Sequence, residues 1–579
     1  MVVHVRAITF RGVSGRGPSA GELLDATVEL WRREDRWSAP QAGRPTRRFR
    51  LREIGGPEHT GMRLDGSAIR HIVQAVSAAY AERKIAAVRA FVTQSAIDRL
   101  RSPESDGVLA VGVLEGTVAR VRTLVRREDA EPLVDDPAHE WIRRASPVRT
   151  GDLVRLDAVN RYAYRLSRYP WRRVDAALSP ADEEGQLTLD YHIQEAEPLL
   201  LYVQASNTGT DETGKWRERF GLRRRDLARG DDVLSVDYVT SDFDDLHALL
   251  ASYEYPLTST LRWKTFGTWH EYQARDVGFA EQDFRGESYG LGTELAWTVF
   301  QHRALFLDAA AGLRYRNTLV DNEFLLLRGE TDFLLPYLAL RAQRRTATAS
   351  TSASCRIQWN LPHTAGTDEL ELLRLGRFAA DERWTTLQGA VSHSFYLEPL
   401  LFPHWGEREG PATLAHEVAA SVRGQVAWND RRLPPDFVQS AGGFYSVRGY
   451  PEAFAFGDNA VTGTLEYRFH LPRALRPAKG PASLFGHSFH LRPPREGVRP
   501  DWDLIFRLFL DASRTSHNRR LPYERDLTLV GAGGGLELVV RRNLSIRLDL
   551  GSALKDADNG SEDVDAGEAR VHISLLFLF

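Results

Sequence analysis

The chain has 579 residues with 75 Lys+Arg against 78 Asp+Glu, a formal net charge of -3, so overall charge gives no reason to expect nucleic acid as a partner. Cys355 is the only cysteine, which excludes an intrachain disulfide and a cysteine-built zinc cage. No run approaches the eighteen or so uninterrupted apolar residues of a membrane-spanning helix, and mean hydropathy is -0.36. Membrane strands escape that test, because they alternate lipid-facing and lumen-facing residues and a hydropathy window averages the two.

In chain order, residues 2 to 12 alternate and end in Gly12, as a strand and turn do. A helix is expected from Ala20 to Trp37, with Leu23, Leu24, Val28 and Leu30 on one face. A Pro/Arg/Gly-rich insertion follows to about Leu64, and its arginines from Arg44 to Arg52 read as a solvated loop. Asp65 can cap a second helix to about Lys84, whose apolar side carries Ile69, Ile72, Val76 and Tyr80. Strands near Ala87 to Val92 and Gly107 to Leu114 close a first module, residues 1–114. The order repeats over 115–196: a strand at Val118 to Val125, helices near Ala138 to Arg144 and Leu156 to Ser167, and strands near Val174 to Leu178 and Gln186 to Ile193. Such modules can receive an extended polypeptide on a strand edge or serve as structural spacers.

From about Pro198 helical periodicity gives way to alternation. In Trp502 to Ala512 the even positions are all apolar, and Asp503, Arg507 and Asp511 stand opposite with Ile505 and Phe509. In Val461 to Leu471 the odd positions face Thr462, Thr464, Glu466, Arg468 and His470. A soluble sandwich would turn its polar face outward; a membrane barrel turns it to a wet lumen. Three features favour the barrel. About sixteen strands can be placed, an even number in the bacterial range. Tyr253, Tyr255, Trp263 and Trp269 recur near expected strand ends, as an interfacial girdle requires. The last strand puts Val571, Ile573, Leu575, Phe577 and Phe579 on one face. The expected fold is therefore a transmembrane antiparallel β-barrel over 197–579, preceded by two small α/β modules.

Specific phrases carry a family resemblance. Gly442, Gly443, Val447-Arg448-Gly449-Tyr450, Gly457 and Asp458 form a glycine-rich stretch between expected strands eleven and twelve. It resembles the sixth-loop motif of the outer-membrane transporter superfamily that includes barrel-assembly proteins and two-partner secretion transporters. The repeated N-terminal order, with Gly107 to Gly116 at its junction, resembles the periplasmic POTRA modules of that superfamily. Phe577 and Phe579 resemble the terminal signal read by the barrel-assembly machinery during biogenesis. The resemblance implies that the loop at 432–458 folds into the barrel and that Arg448 pairs with an acid on an inward-facing strand. Phe509-Leu-Asp511-Ala-Ser513 resembles that strand, with Ser513 where the family has glycine, which makes Asp511 the expected partner. Arginine suits the task, because its planar fork is always charged and holds a carboxylate with two bonds.

Two modules before one barrel point to the two-partner secretion type, also called the hemolysin-activator type. It implies a Gram-negative outer membrane with the modules in the periplasm, and outer-membrane lipid and a secreted polypeptide cargo as partners. An outer-membrane insertase and a passive or structural pore are the alternatives. The Pro/Arg-rich segment from Pro472 to Pro500 departs from the short turn expected there, and no plug helix or secretory signal precedes Val2. Enzymatic readings fare badly: Gly531-Ala-Gly533-Gly534-Gly535 leads into a strand-like run rather than a phosphate-binding helix. The acidic run Asp556 to Glu568 lacks an EF-hand's glycine and ligand positions. No catalytic residue, metal site or cofactor is expected.

Overall fold

The computed structural model describes all residues except 1, 56–60, 127–130, 229, 278–281, 323–326, 363–365, 403–413, 479, 481, 485, 495–498 and 542. The chain divides into two compact units, Met1–Ala196 and Glu197–Phe579.

The first unit holds two apolar cores. One gathers Val3, Val5, Leu30, Leu64, Ile72, Tyr80 and Val111; the other gathers Val118, Ile142, Val159, Leu166, Tyr191 and Ile193. Around the second core, strand Thr117–Arg126 pairs in parallel with Gln186–Glu195, which pairs antiparallel with Arg172–Pro180. Helices Glu140–Arg144 and Leu156–Leu166 lie between the first and last two of these strands in sequence, giving the strand-helix-helix-strand-strand order.

The region around the first core departs from expectation. The helix expected from Ala20 to Trp37 stops at Leu24, and Thr27–Arg33 is a strand. Val28 and Leu30 are buried two residues apart with Glu29 exposed between them, which is strand period; Leu24 and Val28 match helical spacing only by coincidence. The insertion is not one solvated loop either. Its strand Thr46–Arg50 pairs with Thr27–Arg33 and buries Phe49, although the arginines themselves stay exposed. A helix at Gln94–Arg101, capped by Thr93 and burying Ala96 and Leu100, was not foreseen.

The second unit is a closed barrel of sixteen antiparallel strands, from Leu199–Ser206 to Ala569–Leu578, whose first and last strands pair through Tyr202 to Ser206. Alternation decides which face is which. Along strand thirteen, Trp502–Ser516, exposure switches at every residue from Ile505 to Thr515: Phe506, Leu508 and Leu510 are exposed, while Arg507, Phe509, Asp511 and Ser513 are buried. Exposed leucines facing outward are what lipid demands. Tyr255 and Trp263 sit opposite each other at a strand end, and Trp269 lies mid-strand in Leu261–Val277, a strand longer than the roughly 9–11 residues that cross the hydrocarbon. On the last strand Val571, Leu575 and Phe577 are exposed, and the amide of exposed Phe579 donates to the Leu201 carbonyl at 2.8 Å.

Between strands twelve (Asn459–His470) and thirteen, the Pro/Arg-rich insertion forms a short helix Leu471–Ala474 and a small hairpin of Ala482–Leu484 with His487–Phe489. Residues 479, 481, 485 and 495–498 of it lie outside the described residues.

Candidate functional site: a charged loop seat in the barrel lumen

The segment between strands eleven (His416–Ala427) and twelve turns into the lumen. It makes a short hairpin of Gln439–Ala441 with Ala455–Gly457, and Arg448 lies at the turn between them. Arg448 is 2% exposed. Its Nε and Nη2 donate to the two carboxylate oxygens of Asp511 at 2.7 and 2.9 Å, and its backbone amide donates to Oδ2 at 3.2 Å. Nη1 donates to Glu466 Oε1 and to Asp549 Oδ2, each at 2.9 Å. One guanidinium thus bridges strands twelve, thirteen and fifteen (Leu544–Ala553).

Three carboxylates around one arginine would leave a large negative excess in a buried place, and neighbours remove it. Arg468 and Arg507 pair with Glu466 at 2.6 Å, Arg507 also with Glu537 at 2.7 Å, and Arg547 with Asp549 at 2.5 Å. Four arginines therefore face four carboxylates, and the cluster is neutral. Aromatic faces complete it: the Arg448 Cζ stands 3.4 Å from the Phe509 ring centroid, and that of Arg547 4.4 Å from Phe444. Burial alone would lower the Arg448 pKa, but the bonds and charge of Asp511, with those of Glu466 and Asp549, hold it above its ordinary value.

The wall is shaped for this loop. A Cβ added at Gly531 would sit 2.0 Å from the Arg448 carbonyl oxygen, and one at Gly551 2.7 Å from the Arg448 backbone. Gly449, with φ +104, approaches the Ser552 backbone so closely that its own Cβ would lie 2.5 Å from it. The glycine run in strand fourteen (Leu527–Val540) is thus explained in part by clearance for a second layer of backbone. Gly531→Ala should displace the loop at a cost of about 1–3 kcal/mol, seen as faster maleimide labelling of a cysteine placed at Ser446 in a Cys355→Ser background. Unchanged labelling would contradict that fit.

The other motif residues lie around this seat. Val447 and Tyr450 are fully buried with Phe454, Leu529, Ala553 and Val564, and the Tyr450 hydroxyl donates to the Lys555 carbonyl at 2.6 Å. Gly442 and Gly443 have φ of +111 and +88. A Cβ on Gly443 would collide with Glu452, whose carboxylate accepts the Phe444 amide at 2.6 Å. Ser513, where the related motif has glycine, is buried and bonds the Thr462 hydroxyl and the Val461 carbonyl at 2.9 and 3.0 Å.

Gly457 packs against Ser516. Asp458 belongs to a second network. It accepts Arg377 at 2.6 and 2.8 Å and the amides of Leu433 and Asn518 at 2.7 and 2.9 Å. Beside it the fully buried Arg432 holds Glu524 with two bonds of 2.7 Å. Burial opposes ionisation of Glu524, but the Arg432 fork keeps its pKa at about 2. Three loops are tied together here, and of these residues only Asp458 lies in the glycine-rich motif that stands out in the sequence.

Glu452 is a titrating contact within the loop. Burial raises its pKa to about 7, against the Phe444 amide bond that would lower it. Because the seated-loop pKa lies above the ordinary value, seating is strongest when Glu452 is protonated and weakens as pH rises from about 4.5 to about 7. Labelling at position 446 should therefore increase over that window, and Glu452→Gln should flatten the rise; an equal rise in that variant would assign the effect elsewhere.

Glu466 and Asp549 were not singled out from the sequence. Alternation had already put Glu466 on the inward face, and Asp549 alternates with Leu548 and Leu550 in the same way. What was missing was the register that sets them beside Asp511: Thr464 opposite Asp511, and Gly535 opposite Asp549.

A lumenal loop pinned by one arginine to the wall of a closed sixteen-strand barrel, in a chain whose other unit is α/β, defines the architecture of a membrane β-barrel with α/β modules before it in sequence. No protein-family model matches the chain. The heme/hemopexin transporter protein HuxB of Haemophilus influenzae is 21% identical over 423 residues, covering 72% of this chain and 68% of HuxB. The structure of CdiB from Escherichia coli matches over 100% of this chain and 91% of its own, with a TM-score of 0.66 and 17% identity. CdiB from Acinetobacter baumannii matches over 100% and 90%, with a TM-score of 0.58 and 14% identity. The chain has the fold of these CdiB proteins from end to end, and the resemblance to two-partner secretion transporters read from its sequence is borne out.

Proposed function

We propose that the chain carries an unfolded, secreted partner polypeptide across the outer membrane, from the periplasm to the cell surface. The observation that carries this reading is the match to CdiB over both units together, joined by the sequence relation to HuxB. Residues 1–114 and 115–196 act as periplasmic modules that capture the cargo on exposed strand edges, and 197–579 supplies the path, with outer-membrane lipid around it. Arg448 holds the inward-folded 432–458 loop against Asp511 until the cargo arrives, and Gly442, Gly443, Val447, Gly449, Tyr450, Gly457 and Asp458 shape that loop. The lock is mechanical and performs no chemistry. Phe577 and Phe579 serve the barrel-assembly machinery during biogenesis. Directionality comes from folding of the cargo outside. Photo-crosslinking from 115–196 in cells tests the reading: a secreted polypeptide should be trapped there, and trapping only of nascent barrel proteins would favour an insertase instead.

A further inference from the structure

The lumen wall that runs on from the neutral cluster, through strand eleven and away from it, is not neutral. On strands seven (Leu305–Asn322), nine (Ala349–Trp359) and eleven, the inward positions include Arg314, Arg356 and Arg423. Among the described residues none of these has a carboxylate within ion-pair distance, whereas Arg341, on the strand between the first two, is held by Glu294 at 2.6 Å. Aromatic rings and a carbonyl carry the three instead. The Arg314 Cζ stands 5.5 Å from the Phe266 centroid, the Arg356 Cζ 4.8 Å from that of Tyr337, and Arg423 Nη2 donates to the Tyr445 carbonyl at 2.8 Å. Stacking on a ring fixes a guanidinium and leaves its donor edge free.

Arg341, Arg356 and Arg423 line a cavity of about 300 Å³ between the wall and the inward loop, with Gln388, Gln439 and Thr462. Among the described residues no aspartate or glutamate lines it. Arg314, stacked on Phe266 on the inner face of strand seven, adds a further cation outside the cavity lining. A barrel that neutralises one stretch of wall residue by residue and leaves the adjoining stretch cationic, in a low-dielectric tube that focuses field, presents an anion-binding surface. Guanidinium edges and amide donors suit carboxylates spaced along an extended chain.

We propose that this wall is a cation track for acidic segments of the polypeptide in transit. The proposal rests on the transporter reading and narrows its substrate to a chain with acidic stretches. The neutral cluster holds the resident loop; the arginines that lack a carboxylate hold the passenger, although Arg423 also donates to the loop at the Tyr445 carbonyl.

The test is binding of fluorescein-labelled deca-glutamate and deca-lysine to the full-length protein in detergent. Wild type should prefer deca-glutamate by at least tenfold. Arg356→Gln with Arg423→Gln should lose that preference, while Arg356→Lys with Arg423→Lys should retain it; heat-dependent gel mobility reports that each barrel is folded. Arg47→Gln with Arg48→Gln, at an exposed basic site of the first unit, should change nothing. Equal affinity for the two peptides in wild type, or undiminished preference in the glutamine pair, would overturn the track. Preference that survives in a chain whose partner is not exported would overturn the transporter reading alone; export that survives loss of the preference would overturn the track alone.

Discussion

Arg448→Ala should release the lumenal loop and sharply reduce export of the partner. The substitution strands Asp511, whose ion partner is Arg448, and takes one of two or more cations from Asp549 and Glu466, which keep Arg547 and Arg468 with Arg507; all three carboxylates are buried. Breaking a buried pair by deleting one partner costs on the order of 3–5 kcal/mol, which shifts the seated-to-released ratio by roughly a hundredfold or more. Asp511→Ala should do the same from the other side, leaving the Arg448 fork without the carboxylate that takes two of its donors. Arg448→Lys should fall between, because an ammonium keeps the charge but cannot span Asp511, Glu466 and Asp549 at once. The readouts are maleimide labelling at position 446 and the amount of partner in the medium. Wild-type values for both in the alanine variants would refute the lock.

Removing residues 1–196 should abolish export while leaving a barrel in the outer membrane. The strands of 197–579 close on themselves through the pairing of the first and last, so the barrel draws its hydrogen bonds from within its own unit. The first unit has its own two cores, and the proposed capture of cargo is by its strand edges. Barrel insertion is read by heat-dependent mobility of membrane fractions and export by the partner in the medium. Undiminished export would remove capture from the account.

The barrel was legible because lipid imposes a two-residue period on every strand, and Trp502 to Ala512 shows it without interruption. Arg448 with Asp511 was legible through the resemblance of Val447-Arg448-Gly449-Tyr450 and Phe509-Leu-Asp511 to the two family motifs, with alternation placing Asp511 on the inward face as it also places Glu466 and Asp503. The rest of the site was not, because Glu466, Asp549, Arg507 and Arg547 meet only through strand register, and register is a property of the closed sheet. The binding of Asp458 by Arg377 joins residues 81 apart in sequence, with no local signal. In the first unit, Leu23, Leu24, Val28 and Leu30 fit a helical period as well as a strand period over so short a span, and the exposed Glu29 between buried Val28 and Leu30 decides for a strand.

The central claim is that a polypeptide passes through this lumen, and neighbouring residues of one strand can test it. Ser392 is exposed on the inner face of strand ten (Thr385–Tyr396), paired with Ser421, while Val391 is exposed on the outer face beside it. A photo-crosslinker at position 392 should capture the secreted partner during export, and one at 391 should not. Capture of no secreted chain at 392, with nascent barrel proteins trapped at 391, would contradict the account.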